Sequence, residues 1–268
     1  MINGYEIIDF HTHVFPPKLA APALRTLSER SGIAPACDGT PEGTLSLMDS
    51  CGVDGAVLVS VATKPSQQHS INIFLNGLSS ERFRPFGAIH PFAEDWVEEL
   101  AFIASLGFKG IKLHPDYQEF YPDDERVAPL FAECERLGLA VLLHAGVDIG
   151  LPPPVHGTPE RIAKVASRYP DLTVIAAHLG GWRMWDQAED ALCGLKNVMI
   201  DTAFSAEWID TARARRLVER FGAERVLLGS DCPWESPDAS VRMVCSLGLD
   251  GDSERAILGG NARRILTE

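Results

Sequence analysis

The segment IIDFHTHVFP, residues 7–16, is a short apolar run that leads into two histidines separated by one residue. Such a run predicts a buried parallel strand, Glu6–His11. Side chains alternate along a strand, so Asp9, His11 and His13 are expected on one face. Two imidazoles at positions i and i+2 can therefore bind one metal ion from a single strand.

Seven further apolar, β-branched runs follow along the chain. With the first, the predicted strands are Glu6–His11, Gly55–Val61, Arg84–His90, Phe108–His114, Leu139–His144, Leu172–His178, Asn197–Asp201 and Arg225–Asp231. Helical patterns between or after them cover Thr40–Cys51, Asp95–Leu106, Asp124–Leu137, a helix that begins at Thr158 and Pro159, and Ser253–Leu266. This alternation predicts an α/β fold, a (β/α)8 TIM barrel that forms a single domain over residues 1–268.

An open doubly wound sheet is the alternative fold, because the order of the strands cannot be read from the sequence. The pattern GxGxxG does not follow the first strand, and GxxxxGK[ST] does not occur in the chain. Both absences count against the nucleotide-binding form of that fold.

The longest irregular region, Val14–Gly39, follows the first strand and is rich in proline and alanine. We predict it to be an insertion into the barrel. It stands where an active-site lid or a small subdomain would be added, and an ordinary surface insertion is the equal alternative.

Six of the eight histidines fall at or just beyond the C-terminal ends of predicted strands. These are His11, His13, His90, His114, His144 and His178, and Asp231 ends the last strand. In a (β/α)8 barrel these strand ends meet on the face that carries the active site. Neutral imidazole and carboxylate groups are the usual ligands of a catalytic zinc ion. The sequence therefore predicts a metal-dependent enzyme with its site on this face.

Six segments along the chain carry a resemblance to a known family. IIDFHTHVFP, GFKGIKLHP, VLLHAG, AAHLGG, GSDCPW and ILGGNARRIL resemble the amidohydrolase-related metal-dependent hydrolases. More narrowly, they resemble the branch that includes aminocarboxymuconate-semialdehyde decarboxylase and related decarboxylases and lactonases. The resemblance spans the chain from residue 9 to residue 266 and implies a barrel enzyme with a divalent metal.

The resemblance also implies roles for particular residues. His11 and His13 match the metal ligands of the first strand, and His144 matches the ligand of the fifth. Asp231 matches the aspartate that binds the metal and handles the proton of the bound water. His178 matches a histidine that contacts substrate or water in one-metal members and binds the second metal in two-metal members. We expect Asp231 and His178 to be the catalytic residues.

Four further residues are candidates to contact the substrate. Two-metal relatives can place a carboxylated lysine on strand 4, where this sequence has Lys112, with His114 two residues later. Arg183 is expected to hold a substrate carboxylate through a bidentate pair, and Trp234 to form a wall of the pocket. We favour one metal, zinc, with Mn, Fe or Co and a second metal as alternatives.

Several reactions fit such a site. The main expectation is hydrolysis of a small, carboxylated or cyclic carbonyl compound (an amide, lactone or ester) by metal-activated water. The closest alternative is a lyase that decarboxylates an aromatic or enol-type acid without oxidation. A Schiff-base enzyme that uses Lys112, and a non-catalytic binding protein on the same fold, are further alternatives.

Composition restricts the partners. The formal net charge of −13 argues against nucleic acid and anionic membranes, both of which require a basic surface, and leaves a small molecule as the expected partner. The six cysteines form no CxxC pair, no basic-then-apolar leader is visible, and no apolar stretch reaches the ~18 residues of a membrane span. We expect reduced thiols in a cytoplasmic protein and, by default, a homodimer.

Overall fold

The computed structural model describes residues 4–267. Over these residues the strands are β1 (Ile8–Thr12), β2 (Gly55–Leu58), β3 (Phe83–Pro85), β4 (Gly87–Ala88), β5 (Gly110–Leu113), β6 (Ala140–Leu143), β7 (Val174–Ala176), β8 (Val198–Asp201) and β9 (Val226–Leu227). The α-helices are α1 (Pro17–Ser31), α2 (Pro41–Cys51), α3 (Gln68–Leu78), α4 (Trp96–Ser105), α5 (Ala128–Leu137), α6 (Pro159–Arg168), α7 (Trp185–Leu192), α8 (Thr211–Phe221), α9 (Pro237–Ser246), α10 (Gly251–Arg255) and α11 (Asn261–Thr267). Short 3₁₀ turns cover Pro65–Gln67 and Ala223–Arg225, and a π-helical turn covers Ala256–Gly260.

The strands form two parallel sheets, ordered β1-β2-β3 and β4-β5-β6-β7-β8-β9. At one junction β3 and β4 are separated only by Phe86, whose N–H donates to a carbonyl of β2. At the other, the N–H of Phe10 donates to the carbonyl of Leu228 (2.7 Å) and that of Asp231 to the carbonyl of His11 (2.8 Å). The first strand thus bonds to the segment that follows the last. The parallel strands and alternating helices are those of the predicted (β/α)8 barrel.

One of the eight predicted strands, Arg84–His90, is divided in the structure into β3 and β4. Pro85 has no N–H to donate to a ladder. The next residue, Phe86, packs its ring edge-on against Phe10, with ring centroids 5.3 Å apart. The other seven predicted strands each overlap an observed strand, and all seven observed strands are shorter than predicted.

Alternate strand residues fill the interior of the barrel. The cluster comprises Ile8, Phe10, Val57, Val59, Phe86, Ala140, Leu142, Ile175, Ala177, Met199 and Leu227, closed off by Ala262. On β5, a Cβ atom at Gly110 would lie 2.6 Å from the carbonyl oxygen of Ala140 and would also meet the Phe86 ring, so only glycine fits there. Lys112 has the same parity as Gly110 and lies two residues nearer the mouth.

The five predicted helices are present, two of them with differences, and the structure adds helices α1, α3, α7, α8 and α9, which were not predicted. Helix α5 begins at Ala128, four residues later than predicted, because turns occupy Asp124–Val127. The predicted helix Ser253–Leu266 consists of α10, a π-helical turn and α11. Within that turn Gly259 lies so close to the Glu6 carbonyl that a Cβ atom would clash with it.

The insertion Val14–Gly39 contains α1, which lies at the barrel mouth. Leu19, Ala23 and Leu27 are spaced four residues apart on one face of this helix and line the cavity there. This region therefore lies at the active-site face, as expected for a lid or a small subdomain, and is not an ordinary surface insertion. No helix within residues 4–267 combines the length and the apolar character needed to cross a membrane.

Candidate functional site

His11 is held by a carboxylate behind it. Its Nδ1 lies 2.8 Å from Asp201 Oδ2. Because that carboxylate oxygen accepts, Nδ1 carries the hydrogen and the lone pair of the neutral ring is on Nε2. Nε2 faces Asp231 Oδ1 at 3.2 Å. A lone pair and a carboxylate oxygen at this distance repel each other unless a proton or a cation lies beside them, and here the ammonium group of Lys112 lies 3.1 Å from Nε2.

Asp231 accepts a hydrogen bond from another ring, that of His13. His13 Nε2 lies 3.0 Å from the same Oδ1. Asp231 has a backbone φ of +67°, a left-handed conformation that costs about 1–3 kcal/mol in a non-glycine residue and is typical of functional sites. The neighbouring Ser230 is held by Asp9, whose Oδ1 accepts from the N–H groups of Ser230 (2.9 Å) and His11 (3.1 Å). Asp9 therefore fixes the backbone of the site, whereas Asp201 fixes the ring of His11.

A hydrogen bond joins the rings of His178 and His144, and its direction can be assigned. His178 Nδ1 donates to the carbonyl of Ala203 (2.9 Å), which leaves its lone pair on Nε2. His144 Nδ1 lies 3.0 Å from this Nε2 and must be the donor. His144 Nε2 is then an unprotonated atom that is buried without a hydrogen-bond partner.

The structure groups His178, rather than His144, with His11 and Asp231. One donor atom each of His11, His178 and Asp231 lies within 4.8 Å of the others. His144 reaches this group through His178, so its assignment as a metal ligand stays a prediction. His144 itself stands with His114 and Asp148 in a second group of the same kind.

Lys112 and His114 also lie at the mouth. Lys112 Nζ is 3.1 Å from His11 Nε2, and burial lowers the pKa of Lys112 to about 8. The ring of His114 stacks on His144 with centroids 4.0 Å apart. His114 Nδ1 accepts from the N–H of Tyr117, so its Nε2 donates to Asp148 Oδ2 at 3.2 Å. The second group is therefore an ordinary hydrogen-bonded pair with His144 stacked on it.

The remaining candidates divide between the cavity and the surface. Trp234 lines the cavity. Arg183 does not, because its guanidinium group is stacked over the Trp182 ring, 4.4 Å from the centroid, and the residue is exposed. His90 Nδ1 accepts from the N–H of Phe92 and only caps its strand. The structure thus brings Lys112, His114 and Trp234 to the site and leaves Arg183 outside it.

The electrostatics favour the forms that bind metals. Burial, reinforced by the positive charge of Lys112, lowers the pKa of His11, His114 and His144 well below the usual value. These rings are therefore neutral at pH 7. Burial raises the pKa of Asp231, but the opposing effects of His11 and His13 are larger in sum and hold it below its usual value. Neutral imidazoles around an ionised carboxylate are a donor set that a divalent cation fits.

A cavity of about 650 Å³ opens over these residues. It is lined by all the predicted metal and catalytic residues, His11, His13, His144, His178 and Asp231. Two relevant residues were not predicted. Asp201 could have been found in the sequence because it ends a predicted strand, as the other site residues do. Asp148 lies in the loop after β6, and nothing in the sequence marks it as a site residue.

The amidohydrolase family model matches residues 8–267 of this chain. The chain belongs to the amidohydrolase family. This confirms the family that the sequence segments indicated. The superfamily binds divalent metals, and this chain offers histidine and aspartate side chains that could hold one.

Two curated relatives of this amidohydrolase are named decarboxylases. It is 27% identical over 196 residues to a 2-amino-3-carboxymuconate-6-semialdehyde decarboxylase of Dictyostelium discoideum, which covers 61% of this chain and 55% of the relative. The match therefore spans about half the length of that relative. It is 26% identical over 322 aligned positions to the decarboxylase yanB of Aspergillus niger, with 96% of this chain and 86% of the relative covered.

Solved structures confirm the barrel fold. An uncharacterized TIM-barrel protein of Bordetella bronchiseptica superposes with a TM-score of 0.81 at 24% identity, covering 97% of this chain and 98% of that one. A dihydroxybenzoic acid decarboxylase of Polaromonas, with bound manganese and 2-nitroresorcinol, superposes with a TM-score of 0.74 at 18% identity, covering 98% and 97%. At these identities the likeness concerns the fold alone.

Proposed function

We propose that this member of the amidohydrolase family is a metal-dependent decarboxylase, which removes CO2, without oxidation, from a small aromatic or enol-type carboxylic acid. The observation that carries the proposal is the position of Lys112, a buried cationic side chain 3.1 Å from His11 Nε2 in a cavity with mainly apolar walls. A buried cation at this point is suited to pair with a substrate carboxylate. The names of the two relatives also favour this reaction over hydrolysis, which was the main expectation from the sequence.

Each side chain has a task in this proposal. A divalent cation beside His11, His13 and Asp231 would supply positive charge that attracts the carboxylate and neighbouring hydroxyl oxygens of the substrate. When the carbon–carbon bond breaks, CO2 leaves and the electron pair stays on the substrate carbon. A proton must then reach that carbon, and we assign its delivery to Asp231, whose ionised carboxylate first takes that proton from a substrate hydroxyl group or from water. His178 Nε2, an unprotonated atom in the same cavity, is placed to pass a proton on.

The identity of the metal is part of the proposal. Three or more imidazoles with one carboxylate suit zinc, the metal expected from the sequence. Such a set also accepts manganese, which is bound in the Polaromonas structure. We propose one divalent ion per chain, either zinc or manganese, and elemental analysis of the purified protein measures both the type and the number.

A substrate panel tests the reaction. Protein loaded with zinc or manganese is incubated with hydroxybenzoates, lactones and amides, and CO2 release is measured beside product analysis. We expect CO2 together with the decarboxylated product of one acid, and loss of this activity on chelation. Hydrolysis products without CO2 would replace the proposal with a hydrolase. Full activity after chelation, with an adduct trapped on Lys112 by borohydride, would replace it with a Schiff-base enzyme.

A further inference from the structure

The helix α1 presents one uncharged stripe to the cavity. Leu19, Ala23, Leu27 and Ser31 recur every four residues and all line it. Residues four apart lie above one another on a helix, so this is a continuous face. Leu19 is 57% exposed although it is a large apolar residue, which places it at the open rim of the cavity.

A second helix faces this stripe across the cavity. Ile71 and Phe74 of α3 line the same space, with Ser70 beside them. Ile33, from the loop after α1, completes the wall. We call the space bounded by Leu19, Ala23, Leu27, Ile33, Ile71 and Phe74 the apolar arm.

Charge is confined to the other part of the cavity. The charged side chains that line it within residues 4–267 are Lys112, Asp148 and Asp231, and all three come from strand ends or the loops just after them. The charged residues of α1, such as Lys18 and Arg25, are not among the residues that line the cavity. The cavity is therefore polar where the strands end and uncharged between α1 and α3.

The size of the cavity exceeds that of a bare hydroxybenzoic acid. A volume of about 650 Å³ lies in the range of pockets that enclose drug-sized ligands, about 300–1,000 Å³. An apolar wall gains free energy only when apolar surface covers it. An acid with one ring would cover the polar end and leave the apolar arm in contact with water.

We propose that the substrate is an acid with an extended apolar substituent, an alkyl or aryl group that lies in the apolar arm while its carboxylate lies beside Lys112. The position of the carboxylate rests on the proposed function. The apolar arm is continuous with the site that holds the carboxylate, so the substituent is part of the same molecule. A second carboxylate or another charged group on the substituent would meet no side chain of opposite charge in the apolar arm.

Calorimetric titration tests the proposal without turnover. The probes are benzoate and its 3- and 4-n-alkyl derivatives with methyl, propyl, pentyl and heptyl chains, titrated into the manganese-loaded protein. These acids lack the hydroxyl group whose electrons assist loss of CO2, so binding is measured alone. We expect the Kd of one series to fall about twofold to fourfold for each added methylene until the chain reaches Leu19. A Kd that is flat or rises with chain length in both series would overturn the proposal.

A matched pair of variants locates the effect. Ala23→Trp fills the apolar arm, whereas Ala21→Trp places the same side chain on an exposed face of the same helix. We expect A23W to remove the dependence of Kd on chain length and A21W to keep it. Melting temperature and metal content, measured for both variants, show that each is folded and loaded. An unchanged chain-length dependence in folded A23W would overturn the location.

The two proposals fail in different ways. If the chain-length dependence is found but no acid releases CO2, the proposed reaction is wrong and the apolar arm stands as a ligand site. If CO2 is released from simple hydroxybenzoates and chain length has no effect on Kd, the proposed reaction stands and the apolar arm does not bind substrate.

Discussion

Asp201 shows how a single buried carboxylate sets the chemistry of a neighbouring ring. Its Oδ2 faces His11 Nδ1 at 2.8 Å, and its Oδ1 accepts from the N–H groups of His178 and Ala203. These bonds fix both the position of His11 and the nitrogen that carries its hydrogen. Partners of this kind orient metal-binding histidines in many proteins.

Replacing Asp201 with asparagine should reverse the tautomer of His11. The amide oxygen would still accept from the two backbone N–H groups, so the NH2 group of the asparagine would face His11 Nδ1. Nδ1 must then accept a hydrogen bond from that group. The hydrogen moves to Nε2, which can no longer bind a cation. We expect metal affinity to fall about 10- to 100-fold, measured by zinc or manganese titration. Asp252→Asn, on a side chain that is 93% exposed, is the control and should bind metal as the unmodified protein does.

The proposed ligands are tested by truncation. His11→Ala removes an imidazole that faces Asp231, and Asp231→Ala removes the only carboxylate that both His11 and His13 contact within residues 4–267. We expect both variants to lose CO2 release, and His11→Ala also to lose bound metal by elemental analysis. A His11→Ala protein with one metal per chain and unchanged turnover would show that the site is assigned wrongly.

At the scale of elements, the strands were predictable because apolar β-branched runs are rare outside a buried parallel sheet. The break between β3 and β4 had one signal in the sequence, Pro85, which has no N–H to donate, but it also depends on the Phe86 ring packing against Phe10, on another strand. Helix α1 was missed for a related reason. Its prolines and alanines read as an irregular segment, and the packing of its buried residues Ala20 and Leu24 stabilises it as a helix.

The loops after β6 and β7 touch through a glycine. Gly146 has a φ of +84°, and a Cβ atom there would lie 2.6 Å from the carbonyl carbon of Gly181 and would clash with the Trp182 backbone. We expect Gly146→Ala to lower the free energy of unfolding by about 2 kcal/mol or more, measured by urea denaturation. Gly77→Ala is the control, because nothing lies within 4 Å of its Cβ position in α3. It should be neutral or stabilise by up to about 1 kcal/mol. Equal effects of the two substitutions would contradict the packing described for these loops.

At the scale of the whole molecule, folding buries several neutral imidazoles at the barrel mouth. Burial holds the pKa of His11, His114 and His144 well below their unfolded value of ~6.5. Below that value the unfolded chain binds protons that the folded chain does not. Their contribution to stability is therefore complete above pH ~6.5 and is lost as the pH falls toward the folded pKa values.

We expect these rings to make the urea midpoint of chelated, metal-free protein fall from pH 7 to pH 5, against the buried carboxyl groups of Asp9 and Glu235, whose raised pKa values of about 6 and about 8 act in the opposite direction. His114→Gln should flatten this dependence, because it removes one of the buried rings. His69→Gln is the control, since its side chain is 61% exposed, and it should keep the slope. The same pH dependence of the midpoint in His114→Gln and in the unmodified protein would contradict the burial of a neutral ring at His114.

The candidate site was predictable as far as strand ends specify it. In a barrel those ends converge, so histidines and an aspartate at successive ends had to share one mouth. Finer features depend on side-chain packing. Which of His178 and His144 lies beside Asp231 depends on the carbonyl of Ala203, which accepts a hydrogen bond from His178 Nδ1. Arg183 turns away because its backbone is left-handed (φ +58°) and its guanidinium group stacks on Trp182.

The convergence of these side chains on one cation is the central claim, and anomalous diffraction at the zinc or manganese absorption edge tests it most directly. Crystals of metal-loaded protein should give one anomalous peak per chain, about 2.0–2.2 Å from a nitrogen of His11, a nitrogen of His13 and an oxygen of Asp231 for zinc. The same map would show whether His144 or His178 binds it. A peak between His114 and Asp148 alone, or none at the barrel mouth, would contradict the account.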